Sequence, residues 1–401
     1  MTVEKLKPSY NKTVLIFVLG LISIFPPLAT DMYLPAMIEM QSYFHAPDGG
    51  MGLTLSLFFL GLCIGQLLFG PIVDAYGRKK PLILGIVIYI LTSLACLLTK
   101  SFGCLVVLRF FQALGACSGM IIGRAIISDL FEGIEAAKVM SLIVVIMTLG
   151  PICSPVTGSL LLVSWSWFSI FYLMVIIGLI ALAMVLFSLP ESLDPEKRNT
   201  EKMFTVFKRY FELLKNKEFL FLNVICAFVQ SGMFAFITGS SHVFMGHYHL
   251  SSIHYGLCFG FVTLGLVFFA YLNAIILPRM GIHKLMNLAF LVNFISGIAL
   301  ILFSGSNHLW LLLIPLWFTI ATIGGLGANS VTLAMEVSKG RSGIGSALVG
   351  FFQFGFAFMV SALVSAFQND TVYPMSLCIA LPGFISLVLW IIYCKRVQTA
   401  M

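Results

Sequence analysis

Two almost wholly apolar runs, Leu53 to Val73 and Pro81 to Leu98, are joined through the short basic segment GPIVDAYGRKK at residues 70–80. Each run is long enough to cross the roughly 30 Å hydrocarbon core of a bilayer as a helix. A helix satisfies its own backbone hydrogen bonds in a medium that offers none, so the two runs must form an antiparallel helix pair. The turn between them carries Arg78, Lys79 and Lys80. By the positive-inside rule it faces the cytoplasm, and that fixes the sidedness of the rest of the chain.

The pattern recurs along the whole sequence. Charged residues make up only 10% of the 401 positions and hydrophobic ones 60%, whereas a soluble domain carries about 25% charged residues. Apolar windows place spans near 13–33, 52–73, 82–99, 102–123, 138–160, 167–189, 219–241, 253–277, 284–304, 308–334, 343–366 and 373–394. This count of twelve puts both termini in the cytoplasm, and the loops check it independently. The turns after even-numbered spans hold Arg78, Lys79 and Lys80, then Arg124 and Lys138, then Arg279 and Lys284, then Lys339 and Arg341, while the outer loops hold Lys100 alone. The net charge of +7 is therefore topological, and no nucleic-acid partner is needed to explain it. Lys5, Lys7 and Lys12 precede an apolar run that continues to about Tyr33 without a small-residue cleavage site, so that run is expected to be a first span and not a removable leader.

The one long charged stretch, Pro190 to Glu218, divides the spans into two groups of six. The expected architecture is an all-α membrane protein of twelve helices in two pseudo-symmetric bundles, residues 1–189 and 219–401, with a cytoplasmic linker at 190–218. Within the linker, Phe204, Phe207, Phe211 and Leu214 fall at helical spacing opposite Lys208, Arg209, Glu212 and Lys215, which predicts a helix lying on the inner membrane face. A faint internal echo supports the repeat. Laying Gly281 of LPRMGIHK on Gly77 of VDAYGRKK also lays Lys284 on Lys80, although Pro278 then takes the place of Asp74.

The nine cysteines all fall in or beside apolar runs and show no CxxC spacing, so packing is expected of them and not redox or metal chemistry. His242, His247, His249 and His254 cluster after span seven, but their spacing does not put all four on one face, and no metal or other cofactor is expected. An intramembrane enzyme would need clustered nucleophiles or carboxylates at membrane depth, and only Asp31 and Arg109 lie there. No phosphate-binding glycine loop is present to support ATP hydrolysis.

The turn at 70–80 resembles the GxxxDxxGRK signature of the major facilitator superfamily, matched by Gly70, Asp74, Gly77, Arg78 and Lys79. The resemblance implies a gating role, with Asp74 near the start of the eleventh helix and Arg78 paired with an acid below the fourth, here Asp129. LVVLRFFQALGACSG in span four is similar to the family's second motif at Arg109, Gln112, Gly115 and Gly119. LGPICSPVTG in span five resembles its antiporter motif at Gly150, Pro151 and Gly158, with Pro155 and Thr157 departing from the usual glycine run. FPPLATDMYLPA in span one, GRAIISDLF at 123–131 and FAFITGS at 234–240 resemble the Bcr/CflA drug-resistance subfamily, so the likeness covers most of the chain.

That resemblance implies a twelve-helix drug:proton antiporter of a bacterial inner membrane, acting as a monomer in the lipid bilayer on small molecules and protons. Asp31, placed about three residues from the outer end of its span, is the expected proton-coupling acid, with Arg109 at a similar depth as its companion. Proton and substrate would compete for Asp31 as two six-helix halves rock about a midplane site. Tyr33, Gln112, Phe234, Phe236, Asn329 and Gln353 are the expected substrate-binding residues, and Gly70, Asp74, Gly77, Arg78, Asp129, Gly150 and Pro151 the expected gating residues. A transporter dedicated to one metabolite, amino acid or siderophore, in either direction, fits the same motifs.

Overall fold

The computed structural model describes residues 12–198, 203–338 and 340–400, so Lys5, Lys7, Lys339 and the side chain of Phe204 lie outside the described residues. All regular structure within them is helical. The first crossing is broken into α1 (Lys12–Ser23), α2 (Phe25–Asp31), a 3-10 turn (Leu34–Ala36) and α3 (Met37–Tyr43). Then follow α4 (Gly50–Tyr76), α5 (Lys79–Leu98), α6 (Phe102–Leu130), α7 (Gly133–Ser164) and α8 (Trp167–Ser188). After the linker helix α9 (Met203–Leu214) come α10 (Lys217–Ser241), prolonged by a π-helical turn His242–His247, α11 (Ser252–Met280), α12 (Ile282–Phe303), α13 (Leu309–Val337), α14 (Ser342–Ala366) and α15 (Tyr373–Ala400). Among the described residues, twelve segments are long and apolar enough to span a membrane.

Each expected span coincides with one of these segments, and the largest difference is in the first. It was expected to end near Tyr33, yet helical structure continues to Tyr43. Pro26 and Pro35 sit in the first turns of α2 and of the 3-10 turn, where the missing N–H has no helical acceptor to lose, so these prolines restart the helix at each break. Asp31 is consequently deep within the crossing and not near its end. Arg124, expected in a turn, lies inside α6.

Glycines let the helices of the amino-terminal half approach closely. A side chain at Gly115 would strike the backbone of α5 at Gly85 and Tyr89, and one at Gly119 would strike the Ile22 carbonyl of α1, so the GxxxG pair serves two different neighbours. The halves meet along α4 and α14, where the Ser56 hydroxyl donates to Ser361 Oγ (2.9 Å) and Cys63 Sγ lies 3.3 Å from the Phe351 carbonyl. They meet again along α7 and α11, where Ser159 donates to the Ser252 carbonyl at 2.6 Å.

The linker helix docks differently from its expected face. Tyr210 and Leu213 are the buried residues, packed with Phe219 and Leu348 and flanked by Phe207 and Leu214, while Phe211 is 67% exposed. The Tyr210 hydroxyl reaches the Leu67 carbonyl at 3.5 Å and passes over Gly70, which leaves room for it. The bundle offers α9 a groove of its own, and this turns the helix by about one residue from the rotation its hydrophobic pattern alone would choose.

Candidate functional site

A cavity of about 550 Å³ lies between the halves, walled by α2, α4, α6 and α7 on one side and by α10, α11, α13 and α14 on the other. Met120, Met147, Met233 and Met335 reach it from four different helices, and Phe59, Phe234 and Phe354 from three. Unbranched, polarizable methionine adapts its shape to different ligands, as permissive binding surfaces require. Thr30, Gln66, Thr148, Ser346 and Gln353 add hydrogen-bonding groups. Two ionisable side chains complete the wall, Asp31 and Arg124.

The cavity opens toward the end of the bundle that carries the basic turns. α7 and α11 touch from Ser159 and Ser252 down to Ile152 and Gly260. Nearer the basic end, Val144, Met147 and Thr148 of α7 and Thr263, Leu266 and Val267 of α11 face the cavity instead. The opposite end is closed where the halves touch: Ser56 of α4 donates to Ser361 of α14 at 2.9 Å, and Ser159 of α7 to the Ser252 carbonyl at the start of α11 at 2.6 Å.

Asp31 closes α2 and is 2% exposed, and its carboxylate accepts from Thr30 Oγ1 at 2.9 Å. Arg109 is fully buried behind it, and the structure does not bring the two charges together: among the described residues no ion pair links them. Arg109 donates instead to the Ala29 carbonyl (2.7 Å) and to Gln112 Oε1 (2.5 Å), and its guanidinium carbon lies 4.5 Å and 4.6 Å from the ring centroids of Tyr33 and Phe58. A charge at membrane depth costs on the order of 3 kcal/mol on insertion scales. Two desolvated aromatic faces at about 1–2 kcal/mol each, with two charge-assisted hydrogen bonds, offset that without a carboxylate. Arg109 thereby ties α6 to the backbone two residues before Asp31.

This arrangement belongs to a known family. The Major Facilitator Superfamily pattern matches residues 19–362. The chain belongs to that superfamily. It is 30% identical over 368 residues to a bicyclomycin resistance protein homolog of Haemophilus influenzae, covering 91% of this chain and 92% of that one. It is 26% identical to the multidrug transporter MdfA of Yersinia pestis over 78% of each chain. Among solved structures, that of a D-xylose-proton symporter superposes with a TM-score of 0.74 at 16% identity, covering 95% of this chain and 98% of that one, which shows the shared fold. The chain is thus a multi-pass transporter of small molecules.

In this superfamily member the signature turn is a dense clasp. Arg78 Nε donates to Asp129 Oδ2 at 2.8 Å and Nη1 to Asp74 Oδ1 at 2.6 Å. Burial pulls the Arg78 pKa down, but the hydrogen bonds and charges of Asp129 and Asp74 outweigh it and hold the guanidinium above its ordinary value. Asp74, expected opposite the first turn of α14, makes its hydrogen bond with Arg78. Glu191, which the sequence did not single out, accepts from the Arg78 and Lys79 backbone amides at 2.8 and 3.2 Å. Its carboxylate occupies the orphan donors at the start of α5, where the helix dipole also favours a negative charge.

The other expected residues separate into two groups. Phe234 and Gln353 line the cavity, Phe234 packing on Phe59 at 4.9 Å. Tyr33, Gln112, Phe236 and Asn329 do not line it, because each is engaged within one half. Tyr33 bonds Thr54 at 3.0 Å, Gln112 donates to Ser93 at 2.7 Å, Phe236 stacks on Phe259 at 4.8 Å, and Asn329 exchanges two hydrogen bonds with Asn273. Gly150 lets α7 pass close to Pro27 of α2, and Pro151 lines the cavity. Of the four histidines, His242 and His247 bond the Asn369 and Asp370 carbonyls and His254 bonds Ser251.

Proposed function

We propose that this transporter exports drug-like small molecules across a bacterial inner membrane in exchange for protons, with the basic end of the bundle and both termini in the cytoplasm. The observation that carries the reading is Asp31, the one carboxyl group among the residues lining a cavity built by both halves. Relatives named for bicyclomycin resistance and multidrug transport support the substrate class, and a wall of methionine and phenylalanine suits molecules that share apolar bulk more than a fixed shape.

Arg109 acts on this acid through the backbone. By holding the Ala29 carbonyl it fixes where Asp31 enters the cavity, while its own charge is spent on Gln112 and two aromatic rings. With the basic end open, substrate enters from the cytoplasm and displaces the proton of Asp31 into water. When the halves, residues 1–189 and 219–401, rock about the α4–α14 and α7–α11 contacts, the cavity opens outward, substrate leaves, and Asp31 takes a proton from outside. The Arg78–Asp129 clasp joins helices of one half, so it stiffens that half as the other moves against it. A single chain holds the whole cavity and works as a monomer.

The test uses everted membrane vesicles with an interior acidified by respiration and a panel of apolar drugs. In the wild type, an added substrate discharges the pH gradient, and Asp31→Asn abolishes this while still binding substrate. Undiminished proton exchange in Asp31→Asn would remove Asp31 as the coupling group.

A further inference from the structure

Arg124 has no role in the mechanism above, and its setting is unusual. It sits within α6, one turn after Met120, and lines the same cavity as Asp31. Among the described residues its guanidinium makes no hydrogen bond and no ion pair, and the lining of the cavity holds no carboxylate besides Asp31. The neighbouring arginines of the same half are all engaged: Arg78 by Asp74 and Asp129, Arg109 by Ala29 and Gln112. An unpartnered guanidinium facing a methionine-lined cavity is an anion receptor awaiting a ligand, since its planar fork matches a carboxylate bidentately.

Position supplies the second constraint. Arg109 meets the first crossing at Ala29, two residues from Asp31, and Arg124 follows Arg109 by fifteen residues on one continuous helix. Allowing for a long side chain that leans back toward the start of its helix, the two cavity charges stand roughly 15 Å apart along the transport axis. Asp31 lies at the closed end and Arg124 near the mouth.

We infer that the substrates of this transporter include elongated apolar molecules carrying a cationic group at one end and a carboxylate at the other, the carboxylate bound by Arg124 and the ammonium by Asp31. The inference rests on the antiport reading for its second half. A simple organic anion at Arg124 would favour the protonated, neutral Asp31, so that proton and substrate would bind together. Exchange requires that substrate expel the proton, and an ammonium beside Asp31 does so: the carboxylic acid releases its proton to water and the ammonium keeps its own. A simple cation would also expel the proton but would meet an unpaired Arg124 on its way in. The zwitterion alone satisfies both charges and leaves the cavity neutral.

The experiment compares three rigid probes on the purified full-length chain in detergent: para-aminomethyl-para′-carboxybiphenyl, its methyl ester, which keeps only the cation, and its N-acetyl derivative, which keeps only the anion. Binding is read by calorimetry and proton release in weakly buffered solution. The zwitterion is expected to bind at least about tenfold more tightly than either derivative. Arg124→Gln should erase its advantage over the ester by weakening the zwitterion while the ester, relieved of a like charge, binds at least as well as before, and Arg124→Lys should restore part of the advantage. Size-exclusion profiles and ester binding confirm that the variants are folded. Equal binding of zwitterion and ester by the wild type, no saturable binding of the zwitterion, or parallel losses for both in Arg124→Gln each overturn the assignment, leaving Arg124 as a charge that only reaches for the interface. Binding that discriminates through Arg124 without proton release would sustain the carboxylate site and sink the antiport reading. Proton release insensitive to Arg124→Gln would do the reverse.

Discussion

The turn at Gly77 and the turn at Gly281 are the same structural device built twice with different chemistry. Each joins two long helices at the basic end at a positive-φ glycine, Gly77 followed by Arg78 in the first turn and Gly281 alone in the second, with φ 88° and ψ 180° at Gly77 and φ 74° and ψ 159° at Gly281. Around Gly77 the chain has assembled Asp74, Arg78, Asp129, Glu191 and Ser192 into one hydrogen-bonded cluster. Around Gly281 nothing lies within 4 Å of where a side chain would start, and Arg279 is exposed. The contrast extends inward. The amino-terminal half carries Asp31, Arg109 and Arg124 at membrane depth, whereas the carboxyl-terminal half relies there on neutral pairs such as Asn273 with Asn329 and Asn293 with Thr319 and Thr322. A similar backbone path at the two turns therefore carries different chemistry, and both ionisable side chains that line the cavity, Asp31 and Arg124, come from the amino-terminal half.

The sharpest test of that contrast is alanine at each glycine. The backbone at both positions lies in a region nearly restricted to glycine, which costs other residues on the order of 1–3 kcal/mol. At Gly77 the new methyl would also lie 2.6 Å from Glu191 Oε2 and push that carboxylate off the Arg78 and Lys79 amides. Gly77→Ala is expected to destabilise by about 3 kcal/mol and Gly281→Ala by about 2 kcal/mol, read as melting temperatures in detergent. Equal shifts would mean that the cluster adds nothing to the turn.

Removing charge should separate the two turns next. Side-chain exposure at the Arg78–Asp129 contact is 10% and 19%, so the pair falls between exposed pairs worth up to about 1 kcal/mol and buried ones that cost about 3–5 kcal/mol to break. Asp129→Ala is expected to cost about 2 kcal/mol, because Arg78 keeps Asp74, and Arg279→Gln in the other turn less than about 0.5 kcal/mol. A comparable loss from Arg279→Gln in thermal unfolding would show that the second turn has partners of equal weight.

What could be read from the sequence follows the same division. Spans and the basic turns were legible because hydropathy and loop charge act over whole helices, and the Gly70–Lys79 signature is local. Side-chain engagement was not. Tyr33, Gln112 and Asn329 looked like cavity residues by helix position, but each has a partner on a neighbouring helix, far away in sequence, that turns it inward. Arg124 was counted with the loop charges because the fourth apolar window ends at residue 123. The available signal was the uncharged stretch AIIS between Arg124 and Asp129, which adds another turn of α6 beyond the apparent end of the span. Glu191 gave no signal, since nothing local distinguishes it from the other acids of the linker.

Glu191 is also where the smallest effect is expected. Its two carboxylate oxygens accept the Arg78 and Lys79 amides, and Oε1 accepts the Leu193 amide as well at 3.1 Å. Glutamine in its place keeps one acceptor oxygen and turns the other into an NH2 group that faces a donor. The substitution also removes a negative charge from the amino end of α5, worth about 0.3–1 kcal/mol at a partly exposed helix terminus. Arg78 and Lys79 lose a nearby anion, but Asp74 and Asp129 still hold the guanidinium. Glu191→Gln is therefore expected to lower stability by about 1 kcal/mol and to leave the Gly77 backbone in place. Combined with Gly77→Ala it should cost less than the sum of the two, because the methyl has already displaced the carboxylate. A strictly additive double mutant, measured by the same melting experiment, would show that Gly77 and Glu191 do not act on one contact, and the clasp would then reduce to Arg78 and its two aspartates.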